Sequence, residues 1–315
     1  MTRKEVIYAV LVLAAFAVLA FIPSLPNSAA VLSLVIPITM YTVLATSWAL
    51  FSGPTHYISL ATAAFYGVGA YMMAPALEVM PYWMVLPIAA LSGALLAALV
   101  GAMTLRLSGV YFVIFTLGLA EMVRQVITWY QNNFAGTRGN YVFVDINDAQ
   151  IYWQLLALAL LVYLVGWLIN RSRLGFAIRI IGNDELVARH SGINTARAKI
   201  LLFMVSGAFA AVVGAVMTPR FVYIEPAMAF NPEVSFLVVI MALLGGVHRL
   251  WGPLVGAIPF ALTWEVIASN FPAQTVLLMG IAFLLVVYYI PSGVAGIMEK
   301  VYFRARQQRR EVSHG

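Results

Sequence analysis

Two opposite charges lie three residues apart inside a long apolar run, and they are the first candidates for chemistry in this sequence. Glu121 and Arg124 fall within the run 109–130, so on a helix they share a face and can form an ion pair. A charge pair in an apolar segment must face protein or a wet cavity, because lipid does not solvate it. The pair either lines a path for a polar solute or is a structural pair near the outer interface, and the residues alone favour the structural interpretation.

A third ionisable residue lies in a later apolar run. Glu265 falls within 252–270, next to Trp264. It is either a carboxylate that takes part in proton-linked transport or a residue at the outer membrane interface, and its position favours the interface.

Motifs of the common catalytic and nucleotide sites are absent from the sequence. Lys4, Lys199 and Lys300 all lack the glycine-rich context of a phosphate-binding loop, so we do not expect this chain to hydrolyse ATP. Neither a His-Glu-x-x-His nor a Gly-x-Ser-x-Gly pattern occurs. Cysteine is absent and the four histidines are scattered, which argues against a metal cluster. We therefore expect no enzyme, no metal site and no cofactor bound by this chain.

Composition indicates which elements must position these residues. Of the 315 residues, 63% are hydrophobic and only 10% are charged, whereas a soluble domain is about 45–50% apolar and about 25% charged. A membrane-spanning helix needs roughly 20 apolar residues, and the apolar runs lack the alternation of barrel strands. We therefore predict an all-α polytopic membrane protein with about ten transmembrane helices. The predicted spans are 6–22, 31–50, 60–77, 82–104, 109–130, 150–169, 199–217, 233–249, 252–270 and 274–290.

The basic residues predict an orientation. With ten helices and a cytoplasmic N-terminus, the outer side holds only Arg138 and Arg220, with Arg124 near an outer helix end, and the other lysines and arginines lie inside. The net charge of +6 then reflects membrane topology rather than nucleic-acid binding. The first run follows Arg3 and Lys4 and partly resembles a signal peptide, but its length favours an uncleaved helix. We expect one transmembrane domain over 1–299 and a basic cytoplasmic tail over 300–315.

The predicted inner loop 170–198 contains a short helix. From Asp184 to His190 the residues are helical in character, with Asp184 and Glu185 in the first turn, where negative charge suits the helix dipole. Gly192 is placed to close the helix. From the residues alone, a helix resting on anionic lipid and a helix that docks on a cytosolic ATPase are equally supported.

Small residues mark sites of close helix packing. Gly67 and Gly69 lie in one run, and Gly252 and Gly256 lie in another, and we expect packing rather than solute contact at these positions. Gly-containing interruptions at 52–54 and at Gly245-Gly246 are candidates for discontinuous helices, a device of many transporters.

Four segments, in order along residues 40–290, resemble the branched-chain amino acid ABC importer permeases of the LivM type. The resemblance is carried by SLATAAFYGVGAY at 59–71, GVYFVIFTLGLAE at 109–121, AIRIIGNDELVARHSGINTARAK at 177–199 and LGGVHRLWGPLVGA at 244–257. The first, second and fourth are similar to that family's SLGHAAFFGIGAY, GYFAIVTLGFAE and LGGxGTLxGPxxGA stretches. Ser59, Thr116, Glu121 and Arg124 are thereby candidates for the translocation path or for buried polar positions.

This resemblance implies an ABC importer permease fold, partners and a mechanism. The chain would be one of two homologous permease subunits in a bacterial or archaeal inner membrane, with both termini cytoplasmic. Two cytosolic ATPases would bind ATP and Mg, and a periplasmic or lipid-anchored binding protein would deliver the solute. The loop would then hold a coupling helix that the ATPases move to switch the cavity between outward-open and inward-open states. Its residues would be Asp184, Glu185, Ala188, Gly192, Ile193 and Asn194.

Departures from the family pattern bear on the substrate. The pattern is changed at Gly53-Pro54, at Ala61-Thr62, at 137–139 and at Glu225. Two of these changes lie in predicted outer loops, where a binding protein would dock or the solute would enter, and they argue against assuming leucine, isoleucine or valine as the substrate. The first hypothesis is a small organic solute, with a branched-chain or related amino acid as the first candidate. Two rivals remain open. The first is a secondary transporter that works alone, and the second is a permease of the related ribose type.

Overall fold

A computed structural model describes residues 14, 16–24, 28–105, 109–289, 293–294 and 296, and this part of the chain is mostly helical. The helices are α1 (Ser28–Thr55), α2 (Thr62–Leu77), α3 (Tyr82–Thr104), α4 (Val110–Tyr130), α5 (Asp148–Arg171), α6 (Arg173–Asn183), α7 (Glu185–His190), α8 (Thr195–Met217), α9 (Pro226–Ala229), α10 (Glu233–Gly245), α11 (Gly252–Asn270) and α12 (Thr275–Tyr289). Two short strands, β1 (Asn140–Tyr141) and β2 (Tyr223–Ile224), pair antiparallel. The predicted tail 300–315 and most of the predicted span 6–22 lie outside the described residues.

Seven of the described helical segments are long and apolar enough to cross a membrane. They are Ser28–Thr55, Tyr82–Thr104, Val110–Phe134, Asp148–Arg171, Thr195–Arg220, Pro226–Gly245 and Gly252–Asn270. Helices also occupy two further predicted spans, but α2 has only 16 residues and α12 only 15. The all-α, polytopic prediction is confirmed, whereas the count of about ten spans stays a prediction.

Helix α8 lies at the centre of the bundle and packs on α2 and α3, while α1 contacts α5, α8, α10 and α11. Glycines set the spacing of these central helices. A Cβ atom on Gly69 of α2 would lie 2.7 Å from Cα of Ala211 on α8. A Cβ on Gly207 of α8 would lie 2.8 Å from the carbonyl oxygen of Gly93 on α3. The three backbones therefore approach closely, as small residues permit in membrane proteins.

A non-helical segment, 56–60, separates α1 from α2, and its last two residues, Ser59 and Leu60, are buried. We call it the extended segment. The sequence placed an interruption at 52–54, but α1 continues through Gly53 and Pro54 and ends at Thr55. Proline at this position does not end the helix at once, because its ring conflicts mainly with the preceding turn. The break matters because non-helical backbone inside a membrane protein needs hydrogen-bond partners from the protein itself.

Side chains from three helices supply those partners. The indole Nε1 of Trp48 donates to the carbonyl oxygen of Ser59 at 2.7 Å, and the Leu60 amide donates to Oγ1 of Thr116 at 3.0 Å. Ser235 Oγ donates to the carbonyl oxygen of Leu60 and accepts from the Ala63 amide, both at 2.8 Å. The segment is thereby tied to α1, α4 and α10 at once.

The two ends of the bundle carry different charges. The loop end, which holds α6, α7 and the start of α8, is rich in arginine, whereas the strand end, which holds β1 and β2, carries several carboxylates. The basic residues at the loop end are Arg171, Arg173, Arg179, Arg189, Arg197, Lys199 and Arg249. The carboxylates at the strand end include Asp145, Asp148, Glu225 and Glu233. This segregation agrees with a cytoplasmic loop end under the positive-inside rule.

Candidate functional site

Helix α4 is the least buried of the seven candidate spans, with 22% of its most apolar window inside the molecule. Its inner face buries Phe112, Thr116, Leu119 and Ala120. The opposite face is open to the surroundings over the whole length of the helix. The exposed side chains there include Tyr111, Ile114, Phe115, Met122, Val126 and Trp129.

The Glu121–Arg124 pair lies at the border of this open face. Arg124 Nη2 donates to Oε1 of Glu121, and Gln125 Nε2 donates to the same oxygen at 2.8 Å. The side chains of Glu121 and Arg124 are 43% and 31% exposed. The expectation that Glu121 lies near the outer end is wrong, because Glu121 lies midway along Val110–Tyr130. A partly exposed charge pair at mid-helix depth needs protein or water beside it.

Two buried polar atoms have no hydrogen-bond partner among the described residues. They are Nε of Arg124 on α4 and Oε1 of Gln131, which directly follows the last residue of α4. Buried polar atoms are nearly always hydrogen-bonded, so these two atoms have the capacity to bind water or a ligand atom. Polar groups that can bind a partner therefore follow one another from Glu121 toward the strand end of the molecule.

Ser59 and Thr116 lie together in the bundle core. Both are buried, and Thr116 Oγ1 holds the extended segment through the Leu60 amide. Ser59 Oγ accepts from the Ala61 amide at 3.2 Å. The two hydroxyl groups therefore stabilise the break between α1 and α2, and neither lies on the open face of α4.

The glycines predicted to pack helices together lie where a neighbouring backbone or ring leaves no room for a Cβ atom. A Cβ on Gly67 would meet the ring of Phe230, and one on Gly69 would meet the backbone of Ala211. Gly245, Gly252 and Gly256 lie against one another where α10 and α11 meet. Gly246 has φ 102° and ends α10, so the chain turns between these two helices.

At the loop end, caps define α7 on both sides. Asp184 Oδ1 accepts from the amides of Leu186 and Val187, and Asn194 Oδ1 caps α8 through the Arg197 amide. Gly192 has φ 78°, and the amides of Gly192 and Ile193 donate to the carbonyl oxygens of Arg189 and Ala188. This is a Schellman motif, which glycine favours because it has no Cβ.

One face of α7 anchors it and the other is open. Ala188 is fully buried in a small cluster with Ile181 and Ala198, and Ile193 packs against that cluster. Leu186 and Val187 are 64% and 52% exposed. A short helix therefore presents two apolar side chains at an otherwise basic end of the molecule.

Lys199 is a residue whose structural role the sequence reasoning missed. Its side chain is 2% exposed, and its Nζ donates to Oε2 of Glu185 at 2.6 Å. The same ammonium donates to the hydroxyl oxygen of Tyr57 at 3.3 Å and lies 4.3 Å from the centre of the Tyr57 ring. Tyr57 belongs to the extended segment, so Lys199 connects α7 directly to the break between α1 and α2. A lysine near the start of an apolar helix was the signal that could have indicated this.

The charge of Glu185 is stabilised by these contacts. Burial by itself would raise the pKa of Glu185, but hydrogen bonds from Lys199 and Arg189 outweigh that effect and hold its pKa below the usual value. Arg189 Nη2 contacts Oε1 at 2.9 Å and is itself 64% exposed. Glu185 therefore remains ionised at neutral pH and keeps both contacts.

The strand end combines carboxylates with exposed aromatic rings. Asp148 at the start of α5 pairs with Arg220 at 3.2 Å, which fixes the outer turn beside β2. Tyr141 and Phe143 stack with ring centres 5.9 Å apart and are 62% and 81% exposed. The departure at Glu225 immediately precedes α9 at this end. Among the described residues, no group of three or more metal-ligating side chains comes together.

The fold and these sites define a multi-pass membrane protein with an open helix face bordered by a charge pair and with a capped loop helix. A comparison at family level matches residues 30–287 to the family described as the branched-chain amino acid transport system permease component. The chain belongs to this family, and the resemblance found in the sequence is confirmed.

Individual relatives show the range within that family. The chain is 28% identical over 276 aligned positions to the high-affinity branched-chain amino acid transport system permease protein LivM of Escherichia coli K12, covering 77% of this chain and 64% of LivM. It is 26% identical over 190 positions to the ribose import permease protein RbsC of Haemophilus influenzae, covering 57% of this chain and 58% of RbsC. A fructose import permease protein, FrcC of Rhizobium meliloti, matches 45% of this chain at 28% identity. The match to LivM thus spans less than two thirds of that relative.

Proposed function

We propose that this chain is an inner-membrane permease subunit of an ABC importer. It pairs with a second homologous permease, and two cytosolic ATPases and a solute-binding protein complete the transporter. The solute is a small organic molecule, with a branched-chain or related amino acid as the first hypothesis. Membership in the permease family supports this assignment, and the chain itself is a transport component without an enzymatic role.

The open face of α4 is the observation that carries the proposal. The exposed face of α4 is mostly apolar, but the partly exposed Glu121, Arg124 and Gln125 midway along its border would be poorly solvated by hydrocarbon. A second membrane subunit covering this face removes the conflict, because the polar groups then line a wet path between the two chains. The unsatisfied atoms of Arg124 and Gln131 extend the same path toward the strand end.

The loop helix α7 provides the contact to the ATPase. Leu186 and Val187 point away from the bundle and offer apolar anchors to a cleft on a cytosolic partner. Displacement of α7 moves Glu185, and Lys199 transfers that displacement to Tyr57 and the extended segment. Thr116 and Ser235 then carry it to α4 and α10. ATP binding on the partner thereby favours one of two arrangements of the helices that flank the path.

The amino acid hypothesis draws on charge and on sequence coverage. Glu121 and Arg124 present opposite charges side by side, which suits the ammonium and carboxylate groups of a zwitterion. LivM matches 77% of this chain and RbsC 57%, so the amino acid relative covers more of it. A neutral sugar has no charged groups to bind at this pair, and Glu121 and Arg124 would remain paired with each other.

Single-cysteine cross-linking tests the assembly, because the chain has no cysteine of its own. Gly118→Cys places a thiol on the open face of α4, where a Cβ meets no atom within 4 Å. Leu186→Cys places one on α7, and Leu95→Cys on the exposed apolar face of α3 is the matched control. In native membranes we expect Gly118→Cys to cross-link to a second permease, Leu186→Cys to an ATPase, and Leu95→Cys to neither.

A secondary transporter that works alone is the alternative function, and the central position of Glu121 favours it more than the sequence suggested. Gentle purification of the tagged chain followed by mass spectrometry separates the two. Co-purification of a different permease and two ATPases supports the importer. A chain that purifies alone at every detergent strength, without the expected cross-links, would instead make Glu121 the coupling carboxylate to test.

A further inference from the structure

A cavity of about 430 Å³ opens at the loop end, between the last turns of α1, the α5–α6 junction and the connection from α10 to α11. Its apolar wall is formed by Ala49, Leu50, Ile169, Ile178, Val247 and Leu250. Close backbone approaches hold the wall together. A Cβ on Gly53 would lie 2.5 Å from the carbonyl oxygen of Val247, and one on Gly182 would lie 2.6 Å from that of Pro54. The cavity is therefore a feature of the packed bundle and not a gap between loose loops.

The rim of this cavity is basic. Arg179, Arg249, His56 and His248 line it, and its described lining contains no carboxylate. Arg179 is held in position because its Nε and Nη2 donate to the carbonyl oxygens of Gly175 and Asn170 at 3.2 and 2.8 Å. The rings of His56 and His248 lie 6.1 Å apart across the rim. Such a rim attracts an anion.

His56 has an unusual backbone. Among the described residues it is the one non-glycine residue with positive φ, at 58°. This conformation ends α1, because the His56 amide donates to the carbonyl oxygen of Ser52 at 3.0 Å in a left-handed helix cap. The cap fixes the backbone of His56 where its side chain lines the cavity.

Neighbouring residues place the cavity at the membrane–water interface. The guanidinium carbon of Arg171 lies 4.3 Å from the centre of the Trp167 ring. Arg171 directly follows the cavity residue Asn170 on α5, and Trp167 lies one turn before it. Tryptophan and arginine are typical of the interfacial belt. Helix α6 buries Ile178 and exposes Phe176 by 64%, and an exposed aromatic residue on a short basic helix is typical of an amphipathic helix at a membrane surface.

We propose that this cavity binds the headgroup of an anionic phospholipid. The phosphate lies between the arginine and histidine side chains of the rim, and the first carbons of the acyl chains lie against the apolar wall. An apolar wall below a basic rim, at interfacial depth, fits an amphiphile better than a free anion. This inference is independent of the proposed transport function, because it requires only that the chain is embedded in a membrane.

Native mass spectrometry of the full chain, or of the complex that purifies with it, tests the site. The chain is delipidated and then titrated with phosphatidylglycerol or with phosphatidylcholine as the zwitterionic control. The variants are Arg179→Gln and Arg249→Gln, and Arg173→Gln is the matched control because it removes the same charge from α6 outside the cavity lining. Arg249→Gln is needed as a second variant because Arg179 also braces the α5–α6 junction. Circular dichroism confirms that each variant remains folded.

We expect selective retention of one phosphatidylglycerol, and about a fivefold loss of its affinity for each cavity arginine that is removed. Arg173→Gln should retain the wild-type affinity. An equal loss in Arg173→Gln would show diffuse surface attraction and would overturn the proposal. Equal retention of phosphatidylcholine would overturn the anionic assignment. Displacement by millimolar inorganic phosphate would show a free-anion site and overturn the assignment to lipid.

Discussion

Replacement of Lys199 by methionine should release α7 from the bundle. Methionine keeps most of the side-chain volume, so the change removes the charge without leaving a large cavity. The Lys199 side chain is 2% exposed, whereas that of Glu185 is 32% exposed. After the substitution the carboxylate loses its buried partner but keeps Arg189 and part of its hydration.

The free-energy cost of the substitution depends on this difference in burial between Lys199 and Glu185. Breaking a fully buried ion pair costs about 3–5 kcal/mol. Glu185 is only partly buried after Lys199 is removed, so we expect a cost of about 1–3 kcal/mol, as for an unsatisfied polar group. If α7 opens locally, that cost corresponds to a rise of roughly 5- to 150-fold in the exchange rates of its amides.

Hydrogen exchange of the α7 amides, such as the Ala188 amide that donates to the Asp184 carbonyl oxygen at 3.1 Å, measures this opening. Arg189→Gln is the matched control, because Arg189 also contacts Glu185 but is 64% exposed. An exposed pair contributes about 0.2–1 kcal/mol, so the control should change exchange by less than about fivefold. Unchanged exchange in Lys199→Met, or an equal change in Arg189→Gln, would refute the view that the buried ammonium anchors α7.

Three further predictions follow from local geometry. Gly192→Trp should leave the chain in the membrane but uncouple ATP hydrolysis from uptake, because it adds strain at φ 78° and bulk beside α7, and Gly192→Asn, which tolerates this backbone, should keep uptake; normal uptake in Gly192→Trp would reject the coupling role. Gly69→Ala should lower the free energy of unfolding of the purified chain by about 1–3 kcal/mol, because its Cβ would lie 2.7 Å from Cα of Ala211. Gly118→Ala, whose Cβ meets no atom within 4 Å, should be neutral or stabilising. Equal melting temperatures of the two variants would contradict the packing argument. Because the pKa of Glu185 is lowered in the folded chain, its stabilising contribution is complete above the ordinary glutamate pKa of 4.5 and is lost as the pH falls below that value and through the lowered pKa; the α7 amides should lose protection there in the wild type, and a Glu185→Gln variant should show no such step.

The apolar pattern predicted most of the bundle but not its breaks. Runs of about 20 apolar residues located the helices, and 252–270 coincides with α11. The break at 56–60 was placed a few residues early, because Gly53 and Pro54 suggested a local interruption. The helix in fact ends where Thr116 and Ser235 can satisfy the backbone. These partners lie 56 and 175 residues from Leu60 in the sequence, so a local sequence pattern cannot predict them.

Among the candidate site residues, too, local roles could be predicted from the sequence and long-range contacts could not. Caps such as Asp184 and Gly192 act within one or two turns, so their residue types indicate them directly. The role of Lys199 depends on Glu185, 14 residues earlier, and on Tyr57, 142 residues earlier. A lysine in an apolar helix predicts a partner but does not say which one. The depth of Glu121 was misjudged because sequence periodicity fixes a helix face better than a position across the membrane.

The hydrogen bonds of the non-helical segment 56–60 determine which helices can move together. Because Leu60 is buried, its backbone groups cannot give up their bonds to Thr116 and Ser235 without a cost of about 1–3 kcal/mol for each group left unsatisfied. A displacement that reaches Tyr57 through Lys199 is therefore cheaper if α4 and α10 move with the segment than if the segment slides between them. Helix α4 carries Glu121 and Arg124 at the border of its open face, so we expect a push on α7 to shift that face together with the segment. In this proposal, the hydrogen bonds that satisfy the non-helical backbone also couple the loop end to the charge pair on α4.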